Sequence, residues 1–420
     1  MISFLINAFK IIFVLGFLVL IHEAGHFLVA RLCKVRVNEF SIGFGPNIWK
    51  KQGKQTKYSL RLIPLGGYVS LEGEDERSEQ EDSYSKASIP KRMAIIVAGG
   101  TVNIVFGLLV YFILMTSIGN NTSLIVDELI PGYAAEEYGI LPGDEIIEVN
   151  DKKIRIKSDL DKILAECNGE ELKITIKRND NIQDILVTPT KQEYKTTGIY
   201  LKGTTEGDST KVLTVEANSV SEKQGIKAND QILKINGIDV ENQQQIVDLM
   251  TGAQTESIIV TIERNGDVLD IELIPNIGYT YYLGIYFKTA ENNIGNNMYY
   301  AVYETRDFVF SIAENLKMIF TGNVRADQMM GPVGISEVVA KTSTVEDFVY
   351  ILALISLSLG VTNLLPFPAL DGGKFVLLLI EAIRRRKLSE KTEINLQLIG
   401  FAILIMLSLY ITYNDILRIL

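Results

Sequence analysis

His22-Glu23-Ala24-Gly25-His26 closes the first long apolar run of the chain, Ile11 to Ile21, and the rest of the sequence is organised around it. On a helix, residues four apart share a face. His22 and His26 can therefore hold one metal ion together, with Glu23 beside them as a base for a metal-bound water. The chain has only two histidines in 420 residues, and both are here. Three ionisable residues also fall where hydropathy puts bilayer, which is costly unless they pair or bind something. Taken alone, such a five-residue match is short enough to arise by chance, and an apolar run of this kind is also what a signal peptide offers. However, no basic start precedes it, no A-x-A site follows it, and three more apolar segments lie downstream.

With those segments the chain has four expected membrane spans: Phe4 to Leu32, Met93 to Ile118, Phe348 to Leu370 and Leu396 to Tyr413. Each suits a bilayer that needs roughly 20 residues of helix. Lys and Arg cluster between the first two spans (Arg31, Lys34, Arg36, Lys50, Lys51) and between the last two (Arg384, Arg385, Arg386, Lys387). That bias predicts cytoplasmic connections there, and puts both termini and the region from about 119 to 345 outside the cytoplasm. Cys33 and Cys167 then fall on opposite sides, so no disulfide is expected. A net charge of −10 argues against a nucleic-acid partner.

After the first span, Tyr58 to Leu71 alternates around a Pro-x-Gly-Gly centre and predicts a hairpin. It is too apolar for an ordinary cytoplasmic loop. Either it dips into the membrane where protein shields it, or it is a small surface hairpin. Residues Glu72 to Asp82 read as an acidic, solvated loop. In the second span, Gly99, Gly100 and Gly107 permit close helix packing, and Asn103 needs a hydrogen-bonding partner.

The region outside the cytoplasm repeats itself at a constant offset. Gly139, Asp144 and Asn150 recur as Gly225, Asp230 and Asn236, and the strand Leu172–Arg178 recurs as Ile258–Arg264. Gly143 becomes Asn229, the replacement expected where a turn needs positive φ. Each copy reads as a small β-rich domain with one helix. The string Gly139-Ile140-Leu141-Pro142-Gly143-Asp144 resembles the PDZ family, which binds extended peptides at a sheet edge. Peptide binding and a spacer role both remain open for these domains. Residues 291–345 mix an amphipathic pattern with Gly331-Pro332-Val333-Gly334, which suits a connector along the membrane surface or an ordinary packed helix.

The third span ends in Asn363-Leu364-Leu365-Pro366-Phe367-Pro368-Ala369-Leu370-Asp371. Its prolines break the helix. With the histidines exhausted, Asp371 is the best third ligand for a site that keeps one position open for water, unless it only caps the following helix.

These two stretches together resemble the site-2 protease family of intramembrane zinc metalloproteases. The match lies at His22, Glu23 and His26 and at Asn363, Pro366, Pro368, Leu370, Asp371 and Gly372, and the span pattern looks most like the bacterial regulator of sigma-E protease group. The resemblance implies zinc at His22, His26 and Asp371, Glu23 as the catalytic base, and Asn363 holding the substrate backbone. It also implies a membrane-reentrant β element at 58–71, with Leu60, Leu62, Gly66, Gly67 and Tyr68 against the substrate. Implied substrates are membrane proteins with a single transmembrane segment, anti-sigma factors or signal-peptide remnants, trimmed first by an upstream site-1-type protease. The implied place is the bacterial cytoplasmic (inner) membrane.

The expected fold is a polytopic α-helical membrane protein of four transmembrane helices with two tandem PDZ-like α/β domains outside the cytoplasm. Its divisions are 1–118, 119–205, 206–290, 291–345 and 346–420. A non-enzymatic scaffold and a zinc transporter are the rival readings. The two chemical stretches argue against the first, and too few ionisable residues in the spans argue against the second.

Overall fold

The computed structural model describes residues 2–74, 76, 78–204, 207–216, 218–252, 256–320 and 330–419. Contacts divide them into two units, one formed chiefly by residues 1–117 and 330–413 and the other chiefly by 118–304. Helix α1 (Ile2–Leu32) carries the His-Glu pair in its last third. It leads into β1 (Val37–Gln52) and β2 (Lys57–Leu71), and then into α2 (Ile89–Ile118).

The expected hairpin within 58–71 does not form as such. The two arms of β2 do not pair with each other, because the first half of β1 lies between them. Phe40 faces Tyr58 on one side and Val69 on the other, and Ile42 faces both Leu60 and Gly67. Pro64 lacks an N–H and Gly66 takes a φ of +95°, so the strand bends there. The bend reaches α1 halfway along its length: a Cβ on Gly16 would lie 2.6 Å from the Pro64 carbonyl oxygen.

The β unit follows: β3 (Thr122–Leu129), α3 (Ala134–Glu137), β4 (Glu145–Val149), β5 (Lys152–Lys153), α4 (Lys157–Glu166), β6 (Leu172–Arg178), β7 (Asn181–Val187), β8 (Thr190–Thr196) and β9 (Ile199–Thr204). The same series then recurs as β10 (Gly207–Val215), α5 (Val220–Lys223), β11 (Gln231–Ile235), β12 (Ile238–Asp239), α6 (Gln243–Gly252), β13 (Ile258–Arg264), β14 (Asp267–Leu273), β15 (Asn276–Tyr282) and β16 (Ile285–Thr289). The predicted repeat is thus realised element for element. Gly143 and Asn229 take φ values of +93° and +73°, as their turn requires. In each copy an arginine forks onto a buried aspartate: Arg178 donates to both oxygens of Asp144 and to the Gly139 carbonyl, and Arg264 does the same to Asp230 and Gly225.

The domain limits differ from those expected. One sheet runs β16-β3-β4-β6-β7 and the other β14-β13-β11-β10-β9, while β8 pairs with β15. Each repeat gives its last strand to the other's sheet. Neither sheet is therefore contained within 119–205 or 206–290, and the expected boundary at 205 and 206 lies outside the described residues. Two separate cores result, one around Val126, Ile146 and Ile174 and one around Val212, Ile232 and Val260.

The chain continues through α7 (Ile294–Phe320), and residues 321–329 of the expected connector lie outside the described ones. Helix α8 (Pro332–Lys341) precedes α9 (Val345–Asn363), α10 (Asp371–Arg384) and α11 (Glu390–Ile419). Thr344 and Asp347 cap α9 reciprocally, and Pro366 and Pro368 follow where it stops. Among the described residues, four helices are long and apolar enough to cross a bilayer: α1, α2, α9 and α11. Helices α2 and α9 pack almost backbone to backbone, since a Cβ on Gly360 would lie 2.7 Å from the Gly100 carbonyl oxygen.

Candidate metal centre

The last third of α1 turns one face toward α2 and toward the start of α10. On that face His22 Nε2 and His26 Nε2 lie 3.1 Å apart. Asp371, the first residue of α10, brings its Oδ2 to 3.2 Å from His22 Nε2 and 3.3 Å from His26 Nε2. The reading in which Asp371 only caps its helix fails to account for this convergence. Residues 349 positions apart in sequence meet because the proline-broken loop after α9 folds back tightly. A Cβ at Gly372 would sit 2.2 Å from the Leu364 carbonyl oxygen.

These atoms fit a zinc ion. Four tetrahedral ligands about 2.0–2.1 Å from a metal are about 3.3 Å from one another, and the three edges of this triangle run from 3.1 to 3.3 Å. Asp371 Oδ2 is buried and has no hydrogen-bond donor. His26 Nδ1 lies 2.8 Å from the Ile95 carbonyl oxygen, which can only accept, so the ring proton is on Nδ1 and the Nε2 lone pair faces inward. Lone pairs converging without a donor between them repel unless a cation takes the centre. Among the described residues this is the one group of three His, Cys, Asp or Glu side chains close enough to share an ion.

Helix α2 supplies the support. Asn103, wholly buried, has its amide nitrogen 3.4 Å from His22 Nδ1, and its Oδ1 has no partner. Turning that amide over lets the oxygen accept from His22 Nδ1–H, which fixes His22 in the same tautomer as His26. Gly99 lets α2 come up against both rings: a Cβ there would lie 2.4 Å from His26 Nε2 and 2.8 Å from His22 Nε2. The close packing expected at the small residues of α2 is, at Gly99, made against the metal-bearing helix. The backbone N–H of Val69 donates to the Glu23 carboxylate.

A cavity of about 200 Å³ opens on the triangle and is lined by Glu23, Tyr68, Val69, Tyr84 and Lys374 among others. Of the residues expected against substrate, Tyr68 lines it and Gly67 adjoins it, with its Cβ position 3.7 Å from Glu23 Cγ. Gly66 sits at the bend of β2 against the Phe44 ring. Leu60 and Leu62 lie on the other arm of β2, exposed and away from the cavity, and Asn363 ends α9 without lining it. Ile95, Val69, Tyr84, Glu74 and Lys374 were not singled out by the sequence, because nothing in their types or spacing marks them. Asn103 carried a signal, an amide in an apolar span.

Peptidase family M50 matches residues 10–407. The regulator of sigma-E protease RseP of Escherichia coli is 31% identical, covering 99% of both chains. A candidate zinc metalloprotease of Vibrio cholerae is 32% identical over 98% of each. The regulator of sigma E protease of Haemophilus influenzae is 28% identical over 99% of this chain and 100% of its own.

Proposed function

We infer that this chain, which belongs to peptidase family M50 and is a zinc metalloendopeptidase, cuts transmembrane segments of other membrane proteins. The single observation that carries the reading is the triangle of His22, His26 and Asp371 built on helices apolar enough to cross a bilayer. A zinc ion held there supplies Lewis acidity toward a water and a peptide carbonyl. Glu23 takes the proton of the attacking water and returns it to the leaving amine. The Val69 N–H steadies its carboxylate for both tasks. Asn103 and the Ile95 carbonyl hold the two imidazoles in the tautomer that keeps their Nε2 lone pairs on the centre.

A helical substrate hides its carbonyls, so it must unwind before it can be cut. The arm of β2 at Gly67–Leu71 lies at a sheet edge, pairs with β1 on one side only, and borders the cavity. An extended substrate adding to that edge passes Glu23. Gly66, Gly67 and Tyr68 are the residues assigned to this contact, with Asn363 as a further backbone holder. Leu60 and Leu62 belong to the membrane-facing surface of the same element.

Substrates are read as anti-sigma-factor-type membrane proteins, which the relatives' names as regulators of sigma-E support, or as remnant signal peptides. The two β domains are read as PDZ-like and extracytoplasmic, admitting substrates already trimmed by another protease. Deleting 125–290 then lets intact substrates be cut, and intact substrates that stay uncut while trimmed ones are processed rule the filter out. The central test is Glu23→Gln. It leaves about one zinc per chain and abolishes cleavage of a transmembrane peptide in detergent or bilayer. Surviving cleavage sinks the assignment.

A further inference from the structure

We propose that Lys374 is a catalytic residue of this site: its ammonium stabilises the negative charge that develops on the scissile carbonyl oxygen. The inference rests on the protease reading above and adds a residue to it. Attack on an amide carbonyl turns a neutral oxygen into an oxyanion, and a preorganised donor aimed at that charge is worth most in a water-poor cavity. Around the metal triangle the cavity lining holds three carboxyl groups, Glu23, Glu74 and Asp371. Among the described residues, its one cationic side chain is Lys374.

Three observations place Lys374 for the task. It lies one turn beyond Asp371 on α10, so the two side chains share a face of that helix. Its Nζ is held 2.8 Å from Glu74 Oε1, in the segment that follows β2, so the ammonium is oriented before any substrate arrives. The other donors on the wall are committed or weak. Tyr68 accepts from Arg61 at 2.6 Å within a network that includes Glu39. Burial pushes the Tyr84 hydroxyl well above its ordinary range, so it stays a neutral donor and brings no positive charge.

A purely structural role for the ion pair is a poor account of it. The Lys374 and Glu74 side chains are 33% and 24% exposed, and a pair that open to solvent adds little to stability. An ammonium carries three donors, so one held against Glu74 can also face a carbonyl in the cavity. Glu74 is the positioning partner, and it keeps the cation at the wall between turnovers.

The experiment compares Lys374→Met, Lys374→Arg and Glu74→Gln with the wild type in the full-length protein. Two quantities are read beside zinc content: kcat on a transmembrane peptide, and the Kd of a phosphonamidate analogue of that peptide, whose anionic oxygen mimics the transition state. Lys374→Met should lower kcat and weaken analogue binding by about 10²-fold each, the scale set by removing one oxyanion donor. KM and zinc stoichiometry should stay near wild type. Lys374→Arg should recover part of the loss, and Glu74→Gln should cost less than about tenfold. A Lys374→Met protein that binds the analogue as tightly as wild type overturns the proposal. So does a loss in Glu74→Gln as large as that in Lys374→Met, which would make the pair a structural tie. A wild type that cuts no peptide sinks the protease reading itself, a result distinct from either.

Discussion

At the scale of single residues, the centre depends on groups that hold the ligands as much as on the ligands. Gly99 is the sharpest case, because any side chain there drives into both metal-facing imidazoles. Gly99→Ala should abolish zinc binding while the helices remain formed, measured by metal analysis beside circular dichroism. Asn103→Leu should weaken zinc affinity about 10–100-fold, the usual cost of losing a histidine's outer partner. A competition titration with a chelator would read it, and unchanged affinity would show that His22 needs no partner. The sequence made His22, Glu23, His26 and Asp371 legible because charged and imidazole side chains in apolar spans are costly without a purpose. It left Ile95 silent, because its contribution is a backbone carbonyl, and every residue has one.

Among the elements, β1 and β2 show best where pattern reading stops. Alternation and the Pro-x-Gly-Gly centre revealed a strand and a bend, yet alternation is equally satisfied by two arms that pair with each other and by two that flank a third. Long-range pairing decided the matter. The arrangement is tied by Glu39, which accepts from Ser59 at 2.7 Å and from Lys57 and Arg61 at 3.0 Å each. Burial raises the Glu39 carboxyl, but these donors outweigh it and hold the group at about 2, against an ordinary value of 4.5. A depressed carboxylate stabilises the fold above its unfolded value and loses that contribution as pH falls through the folded one. The sheet should therefore loosen between about pH 4.5 and about pH 2. Trp49, the chain's single tryptophan, lies on β1 opposite Leu60, so its fluorescence reports the transition. Glu39→Gln should leave that acid step absent.

At the scale of the whole molecule, the repeat was legible down to its turns, and its limits were not. Similar repeats predict similar folds, but which copy completes which sheet is a question of topology that no local pattern answers. Because β9 and β16 are exchanged, a fragment ending near 205 lacks the edge strand of its own sheet and should stay unfolded, whereas 120–292 should fold cooperatively. Within that fragment, Asp144→Ala and Asp230→Ala each remove a buried carboxylate that a partly exposed arginine and a backbone N–H both donate to. Each should cost about 2 kcal/mol, read by urea unfolding, because a charged acceptor of several hydrogen bonds is lost while the arginine can turn to water. Equal losses would confirm that the two forks do the same work in their two cores.

The pairing of β3 with β16 has one more consequence. Thr122 and Thr289, at the two ends of the β unit, are cross-strand neighbours, so their Cα atoms lie only about 5 Å apart. To the rest of the chain, everything between them is a closed loop whose two ends already touch. Such a cassette can be lengthened, replaced by another lineage's module or cut down to a tight turn without asking the helices on either side to move.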